Sequence, residues 1–332
     1  MTPTNTSTTF TIKRKNDGPR RENVMVVKVA AVQAAPVYMD LSRSVEKAEA
    51  LISEAARLGA KLVVFPETWL PGYPAWLDCS RDYAVWDHAP TKKVFARLME
   101  NSVEVPGPVT DRLAASAREH SVVLNISAHE RVKGGPGRGT LYNTMLTFGA
   151  DGALLNRHRK IMPTYTERLI WGEGDGASLK AVETEAGRVG GLICWEHWMP
   201  LARHALHSSG EDIHVAAWPQ VKEMNLVASR HYAFEGRTFV IACGAIMKAA
   251  DLPAELEAVA SIAANPDAVV LNGGSAIIAP DGAVIVGPVF DEETILTADL
   301  DFSRIAEESL ALDVTGHYSR PDIFDVKLKR TS

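Results

Sequence analysis

Short apolar runs alternate with longer segments of helical periodicity along most of this chain, and this alternation constrains the fold more than any other feature. The first unit begins with VVKVAAVQ at residues 26–33. Residues 41–58 then place apolar side chains three and four positions apart, which predicts an amphipathic helix that ends before Gly59. The run KLVVF at 61–65 predicts the next strand. A strand, a helix and a second strand in this spacing indicate a βαβ unit.

The same alternation recurs to about residue 287. We predict helices over 110–120, 200–209 and 225–235, and strands over 122–127, 188–193, 213–218 and 238–244. Two turn sequences, GADG at 149–152 and PDG at 280–282, each separate two apolar runs and predict hairpins. Parallel units with added antiparallel pairs predict an α/β fold with mixed sheets covered by helices. The pattern leaves open whether there is one sheet or two.

Composition and charge exclude several classes of protein. The chain has 332 residues, a net charge of -6 and a pI near 6.0, whereas a general nucleic-acid binder usually carries a basic face. No apolar run approaches the roughly 18 residues of a membrane span, and the N-terminus lacks the apolar core of a secretory signal. The cysteines at 79, 194 and 243 have neither disulfide-framework nor zinc-ligand spacing, which favours a reducing cytoplasm.

The sequence divides into a tail and one long region of regular pattern. Residues 1–24 are rich in Thr, Asn and charge, with little to bury, so we predict a disordered N-terminal tail. Neither a tandem repeat nor a flexible linker interrupts the long region. We therefore predict a single domain over residues 25–325 and a short C-terminal tail over 326–332.

Two polar residues capable of catalysis follow predicted strands, and strand ends are where α/β proteins place reactive groups. Glu67 follows the strand 61–65 within FPETWLPGYP, where apolar neighbours would raise its pKa toward the range of a general base. Lys160 follows the run 154–159 within HRKIMPTYTERLIWGEGDG and could place a fixed cation beside a developing anion. Either residue taken alone is more often simply solvated.

Cys194 follows the strand 188–193 within GLICWEHWMP and precedes a predicted helix, which is the strand–turn–helix arrangement of a nucleophile elbow. A helix N-terminus and a nearby lysine would both favour the thiolate. A lone cysteine is more often a small buried apolar residue. We prefer that interpretation for Cys243, and it is also adequate for Cys79.

Taken together, the three segments resemble the signature segments of the nitrilase superfamily, in its chain order Glu, Lys, Cys. The resemblance extends from about residue 27 to about residue 321. The tryptophan-rich CWEHWMP and the loop WLPGYP resemble nitrilases proper rather than aliphatic amidases or carbamoylases. This resemblance implies a four-layer αββα sandwich, a single carbon–nitrogen hydrolase domain, and subunits that pair through helices into homodimers or larger homo-oligomers.

The resemblance also implies which residues act on the substrate. Glu67, Lys160 and Cys194 would be catalytic, and Glu167 matches a second glutamate of the family. The residues that fall where the family builds its substrate pocket are Tyr73, Trp171, Trp195, His197 and Trp218. Core packing is an equal alternative for Trp171 and Trp218. The chemistry would require no metal and no organic cofactor.

The expected activity is hydrolysis of a small-molecule nitrile to a carboxylic acid and ammonia, through a thioimidate and a thioester on Cys194. An amidase or a cyanide-hydrolysing enzyme would use the same residues. Two further alternatives are a Cys–His hydrolase, because His197 lies close to Cys194 in the chain, and a non-catalytic binding protein. Ammonia release from a nitrile would separate the first hypothesis from the last two.

Overall fold

The strands of this protein form two mixed sheets, each with helices on its outer face. The computed structural model describes residues 25–329, and the disordered tail predicted for 1–24 lies outside this range. The strands are β1 (Val26–Gln33), β2 (Leu62–Val64), β3 (Val103–Glu104), β4 (Val123–Arg131), β5 (Leu141–Phe148), β6 (Leu154–Arg159), β7 (Val182–Thr184), β8 (Gly187–Ile193), β9 (Ile213–Ala217), β10 (Phe239–Cys243), β11 (Ile246–Lys248), β12 (Val269–Ile278), β13 (Val284–Phe290) and β14 (Thr294–Asp301). The α-helices are α1 (Leu41–Arg57), α2 (Trp76–Cys79), α3 (Ala89–Glu100), α4 (Pro108–His120), α5 (Pro200–His207), α6 (Glu223–Gly236), α7 (Ala260–Ala263) and α8 (Ser303–Glu308).

None of these eight helices within residues 25–329 has the length and apolar character that crossing a bilayer requires.

Helix α1 shows how local sequence sets the outer layer. The Asp40 side chain caps its N-terminus by accepting a hydrogen bond of 3.0 Å from the Arg43 N–H, which satisfies one of the free donors of the first turn. Gly59 follows its C-terminus with a φ of +91°, a conformation that favours glycine. The apolar face predicted from the sequence is the buried face, which includes Val45, Ala48, Ile52 and Ala55.

The first sheet has the strand order β14-β1-β2-β4-β5-β6, and β3 pairs with β4. Strands β1, β2 and β4 are parallel, as the βαβ pattern predicts, and β5 and β6 continue the sheet by antiparallel hairpins. The second sheet has the order β11-β12-β10-β9-β8-β7, with β13 on β12. Strands β8, β9 and β10 are parallel. Both predicted hairpins, β5–β6 and β12–β13, are confirmed.

Alternation of side chains along β1 shows the layer order. Val29 and Ala31 belong to the core cluster formed with the strands of the second sheet, so they point inward between the sheets. Ala30 and Val32 belong to the cluster that contains the buried residues of α1 and α4. Helices α5 and α6 cover the second sheet from the other side, which gives the predicted four-layer αββα sandwich.

Three strand ends converge on one edge of this sandwich. Two antiparallel steps, from β4 to β5 and from β5 to β6, turn β6 back into the direction of β2. The C-terminal ends of β2 and β6 therefore lie at the same edge of the first sheet. The C-terminal end of β8, in the second sheet, faces the same edge. The single domain predicted over residues 25–325 and the short tail after it stay predictions.

Candidate active site

Cys194 lies at a sharp turn between β8 and the helical segment that comes next. Its φ is +52°, in the left-handed region that costs a non-glycine residue about 1–2 kcal/mol. A 3₁₀ helix over Cys194–Trp198 then leads into α5 at Pro200. This strand–turn–helix geometry is the nucleophile elbow predicted from the sequence. Backbone strain at such a position is typical of functional sites.

Lys160 directly follows β6 and lies between two carboxylates. Its Nζ donates to Glu67 Oε1 at 2.9 Å and to Glu167 Oε2 at 2.6 Å. All three side chains are almost completely buried. Burial alone would lower the pKa of Lys160, but the acidic groups around it outweigh burial and raise its pKa above the usual range. The ammonium therefore stays charged throughout the neutral pH range.

Glu67 has two oxygens in different surroundings. Oε1 accepts from Lys160 and, at 2.6 Å, from Nδ2 of Asn143 on β5. Oε2 is buried and has no hydrogen-bond partner among the described residues. Burial raises the pKa of Glu67 from 4.5 to about 7, and Lys160 opposes this shift without cancelling it. One oxygen is thus fixed in place, while the other is free to exchange a proton near neutral pH.

The thiol of Cys194 completes the cluster. One oxygen each of Glu67 and Glu167 and the Cys194 sulfur all lie within 4.8 Å of one another. Burial raises the pKa of the thiol well above its ordinary value, and the two carboxylates raise it further. The Lys160 ammonium and the Trp195 N–H act in the opposite direction but do not overcome burial. Lys160 favours the thiolate, as the sequence predicts, but the resting thiol is protonated because burial outweighs this contribution.

Among the described residues, the carboxylates of Glu67 and Glu167 and the Cys194 sulfur form the cluster of side chains that could hold a metal cation. Lys160 already donates to both carboxylates, so the ammonium supplies the positive charge that a metal would bring. Its Nζ also lies 5.7 Å from the ring centroid of Trp171, within range of a cation–π contact.

Glu167 is held by contacts that leave it little freedom. Its Oε1 accepts from the Tyr73 hydroxyl at 2.9 Å, and its Oε2 accepts from the Thr164 N–H at 2.6 Å as well as from Lys160. The 3₁₀ helix Tyr165–Leu169 carries this glutamate, and Thr164 caps it. Glu167 therefore links the lysine to Tyr73 at the cavity wall.

A cavity of about 990 Å³ opens onto the thiol. Two of the five predicted pocket residues, Tyr73 and Trp195, line it together with Cys194 and Glu167. Further lining residues that the sequence did not single out include Tyr165, Trp198, Lys222, Met224 and Leu271. The wall therefore combines aromatic and aliphatic surface with a few charged groups at the mouth.

The other three predicted pocket residues lie behind the site. Trp218 is fully buried and stacks on His197 with ring centroids 4.7 Å apart. His197 also lies with its Nδ1 2.7 Å from the carbonyl oxygen of Cys194. Trp171 is buried, and its Nε1 donates to His129 Nδ1 at 3.0 Å. The structure thus places Tyr73 and Trp195 at the cavity and packs Trp171, His197 and Trp218 around the elbow and the lysine.

Two residues of this site, Asn143 and Glu196, were not predicted as site residues from the sequence. Asn143 lies on β5, before the predicted turn at 149–152, but a hydrophobic pattern cannot identify Glu67, the remote carboxylate that its side chain contacts. Glu196 lies inside the quoted CWEH run, yet one of its partners, the Ile161 N–H, lies 35 residues away in the chain. Both are polar residues that are completely or almost completely buried, which is the signal that a structure adds to a sequence.

Comparison with known proteins agrees with this geometry. The sequence profile of the carbon–nitrogen hydrolases matches residues 28–308. A bifunctional nitrilase/nitrile hydratase of Lupinus angustifolius is 39% identical over 310 residues, covering 92% of this chain and 87% of that protein. An aliphatic nitrilase of Sinorhizobium fredii is 41% identical over 298 residues, covering 90% and 94%.

Solved structures support the fold independently. A carbon–nitrogen hydrolase from Helicobacter pylori G27 superimposes with a TM-score of 0.65 at 20% identity, covering 86% of this chain and 93% of that one. An amidase from Nesterenkonia sp. gives a TM-score of 0.59 at 16% identity, covering 85% and 92%. Fold and sequence together define a carbon–nitrogen hydrolase, and the chain belongs to that family. Within it, the identities near 40% assign the chain to the nitrilase branch.

Proposed function

We propose that this protein is a nitrilase that converts an organic nitrile to the carboxylic acid and ammonia. The observation that carries the proposal is the buried cluster of Glu67, Lys160 and Cys194 at a cavity large enough for a small organic molecule. The relatives named above carry nitrilase in their names, which supports nitriles as the substrate class.

In the first half of the proposed reaction, the free Oε2 of Glu67 removes the proton from the Cys194 thiol. The sulfur attacks the nitrile carbon, and the triple bond becomes a double bond in a covalent thioimidate. The proton passes from Glu67 to the nitrogen. Lys160 and the Trp195 N–H, which faces the sulfur, stabilise the negative charge that develops on the nitrogen.

In the second half, Glu67 activates a water that adds to the thioimidate carbon. The resulting tetrahedral intermediate expels ammonia and leaves a thioester on Cys194. A second water, activated in the same way, releases the carboxylic acid and restores the thiol. Glu167 holds Lys160 in place and, through Tyr73, connects it to the wall against which the substrate binds.

A screen of aliphatic, aromatic and arylacetonitriles that measures ammonia tests this function directly. We expect ammonia and acid from at least one class, with aryl or arylalkyl groups favoured by the aromatic lining of the cavity. The name of the Lupinus relative also includes nitrile hydratase activity, so the amide must be measured alongside the acid. Ammonia from amides but from no nitrile would support an amidase instead.

The pH dependence of the reaction should report Glu67. Because the general base must be deprotonated and its pKa is raised to about 7, kcat/KM should fall as the pH drops below about 7, with a slope of one proton. Glu67→Gln should lower kcat by roughly 10²-fold or more and remove this limb. A limb near the ordinary glutamate pKa of 4.5 would show that another group titrates.

His197→Asn should leave measurable activity, with kcat within roughly tenfold of the wild type, and change the acid-to-amide ratio. Asparagine can still donate to the Cys194 carbonyl, and burial lowers the pKa of His197 so far that it stays neutral and makes a poor base. Product ratios by chromatography provide the measurement. If this variant were as inactive as Cys194→Ala, the Cys–His hydrolase hypothesis would be favoured.

We further propose that the protein is at least a homodimer that pairs through α5 and α6. Both helices bury one face against the second sheet, with Ala202, Leu206 and Ala233 among the buried residues. Their opposite faces leave large apolar side chains exposed, including Leu201 at 67% and Phe234 at 48%. An isologous dimer would cover such a patch on both subunits at once.

Dissociation of this dimer should reduce activity, since α5 begins just after the Cys194 elbow. Light scattering over a dilution series, read beside specific activity, provides the measurement. A fully active species at the 36.0 kDa monomer mass would contradict the assembly without affecting the catalytic proposal.

The three cysteines are unpaired, which supports a reducing location such as the cytoplasm.

A further inference from the structure

Glu196 is a buried carboxylate that contacts both segments of the active site. It is 1% exposed. Its Oε2 accepts from the Ile193 N–H at 2.6 Å and lies 2.9 Å from Nε2 of His158. Its Oε1 accepts from the Ile161 N–H at 2.7 Å. Both oxygens are therefore engaged, and neither is available to a substrate.

The chain positions of these partners are informative. Ile193 immediately precedes Cys194, and Ile161 immediately follows Lys160. One carboxylate thus fixes the backbone beside the thiol and the backbone beside the ammonium. These segments come from different sheets, so packing within one sheet cannot set the distance between them.

His158 extends this link into β6. Its Nδ1 lies 2.8 Å from Ser178 Oγ, so the ring is oriented from both sides. Burial alone would raise the pKa of Glu196, but His158 and the two backbone N–H groups outweigh burial and lower it. The carboxylate is consequently ionised and able to accept from all its partners.

We propose that Glu196 is a positioning residue that sets the placement of Lys160 relative to Cys194 and holds the left-handed turn at the nucleophile. The turnover part of this inference rests on the proposed function. A misplacement of about 1 Å between reacting groups can reduce a rate by about 10²-fold, so a link of this kind has a measurable effect.

Glu196→Gln tests the link because an amide has one acceptor oxygen where the carboxylate has two. Whichever way the amide is oriented, its NH₂ group faces either the Ile193 or the Ile161 N–H. We expect kcat per active site to fall by about 10²-fold with KM changed by less than about threefold. Active sites are counted by labelling Cys194 with iodoacetamide and quantifying the modified peptide by mass spectrometry.

The labelling reaction also supplies a readout that needs no nitrile. A displaced Lys160 stabilises the thiolate less, so alkylation of Cys194 at neutral pH should slow by about tenfold and its pH midpoint should rise by about one unit. Glu130→Gln is the matched control. Glu130 is equally buried and contacts the side chains of Arg157 and Arg159 on β6, but no backbone N–H group of the site. It should lose stability while keeping kcat per labelled site within about threefold.

A second pair of variants covers the case in which Glu196→Gln fails to fold. His158→Leu removes one partner of the carboxylate, whereas His158→Gln retains an amide that can donate to it. We expect His158→Leu to lose about tenfold in kcat per labelled site and in alkylation rate, and His158→Gln to recover most of both losses.

The inference is overturned if Glu196→Gln matches Glu130→Gln in stability loss, kcat per labelled site and alkylation rate. It is likewise overturned if the two His158 variants do not differ. If the wild type released no ammonia from any nitrile, the proposed function would fail, while the alkylation measurements would still decide the role of Glu196.

Discussion

Cys194→Ala is expected to abolish nitrile turnover, with kcat at least about 10⁴-fold below that of the wild type, because loss of a covalent nucleophile removes the pathway rather than one contribution to it. The fold should survive. Alanine retains the Cβ atom, so the left-handed turn at this position is no more strained than before. Stopped assays for ammonia and acid, with thermal unfolding of the same preparation, provide the measurement.

Cys243→Ala is the control for this experiment. Its sulfur is fully buried in the core between the sheets and lies 3.5 Å from the carbonyl oxygens of Val32 and Val64. The same change of residue should here cost about 0.5–3 kcal/mol of stability and leave kcat close to that of the wild type. Substantial turnover by Cys194→Ala, or an inactive but well-folded Cys243→Ala, would contradict the assignment of the nucleophile.

Lys160→Ala is expected to impair both activity and stability. It removes the charge that stabilises the developing anion, which should lower kcat by roughly 10²-fold or more. It also leaves Glu67 and Glu167 buried and facing each other without a cation. Breaking a buried ion pair by removing one partner costs about 3–5 kcal/mol, so the midpoint of denaturant unfolding should fall clearly.

Lys28→Ala provides the comparison for stability. Lys28 pairs with Asp299 at 3.1 Å on the surface, with both side chains partly exposed. Removal of a surface pair costs about 0–1 kcal/mol, and no effect on kcat is expected. If Lys160→Ala were as stable as Lys28→Ala, the ammonium would not be compensating the two carboxylates in the folded protein.

The sequence analysis identified three candidate catalytic residues, each at or shortly after the end of a predicted strand, and their catalytic roles stay predictions. Glu67, Lys160 and Cys194 could be located from hydrophobic pattern and motif alone, and the structure brings them within hydrogen-bonding range or close to it. The convergence follows from topology: two hairpin steps return β6 to the direction of β2. Such convergence can be argued from strand order, but distances cannot.

Strand β4 shows where the pattern failed. The prediction ended at residue 127, whereas the strand continues to Arg131 through His129 and Glu130. Both polar residues are fully buried, because their partners come from distant segments: Gly72 and Trp171 for the histidine, arginines of β6 for the glutamate. A polar residue satisfied by remote partners carries no local strand signal.

Helix α3 was not predicted from the sequence, for a different reason. It begins at Ala89 with proline in its first turn and buries only Val94 and Leu98 fully along its length. Two deeply buried positions in twelve residues give a weak period. The sequence also predicted that a nearby lysine would favour the Cys194 thiolate, and Lys160 does so, but burial, which the sequence does not show, outweighs it.

The two unlike oxygens of Glu67 impose an order on the catalytic cycle. Oε1 is occupied by Lys160 and Asn143, so every proton in the proposed mechanism must pass through Oε2. A single relay atom cannot hold the thiol proton and accept one from water at the same time. Each water can therefore be activated only after the preceding proton has been delivered. The choice between amide and acid then becomes a kinetic competition, decided by which leaving group takes the proton from this one atom first.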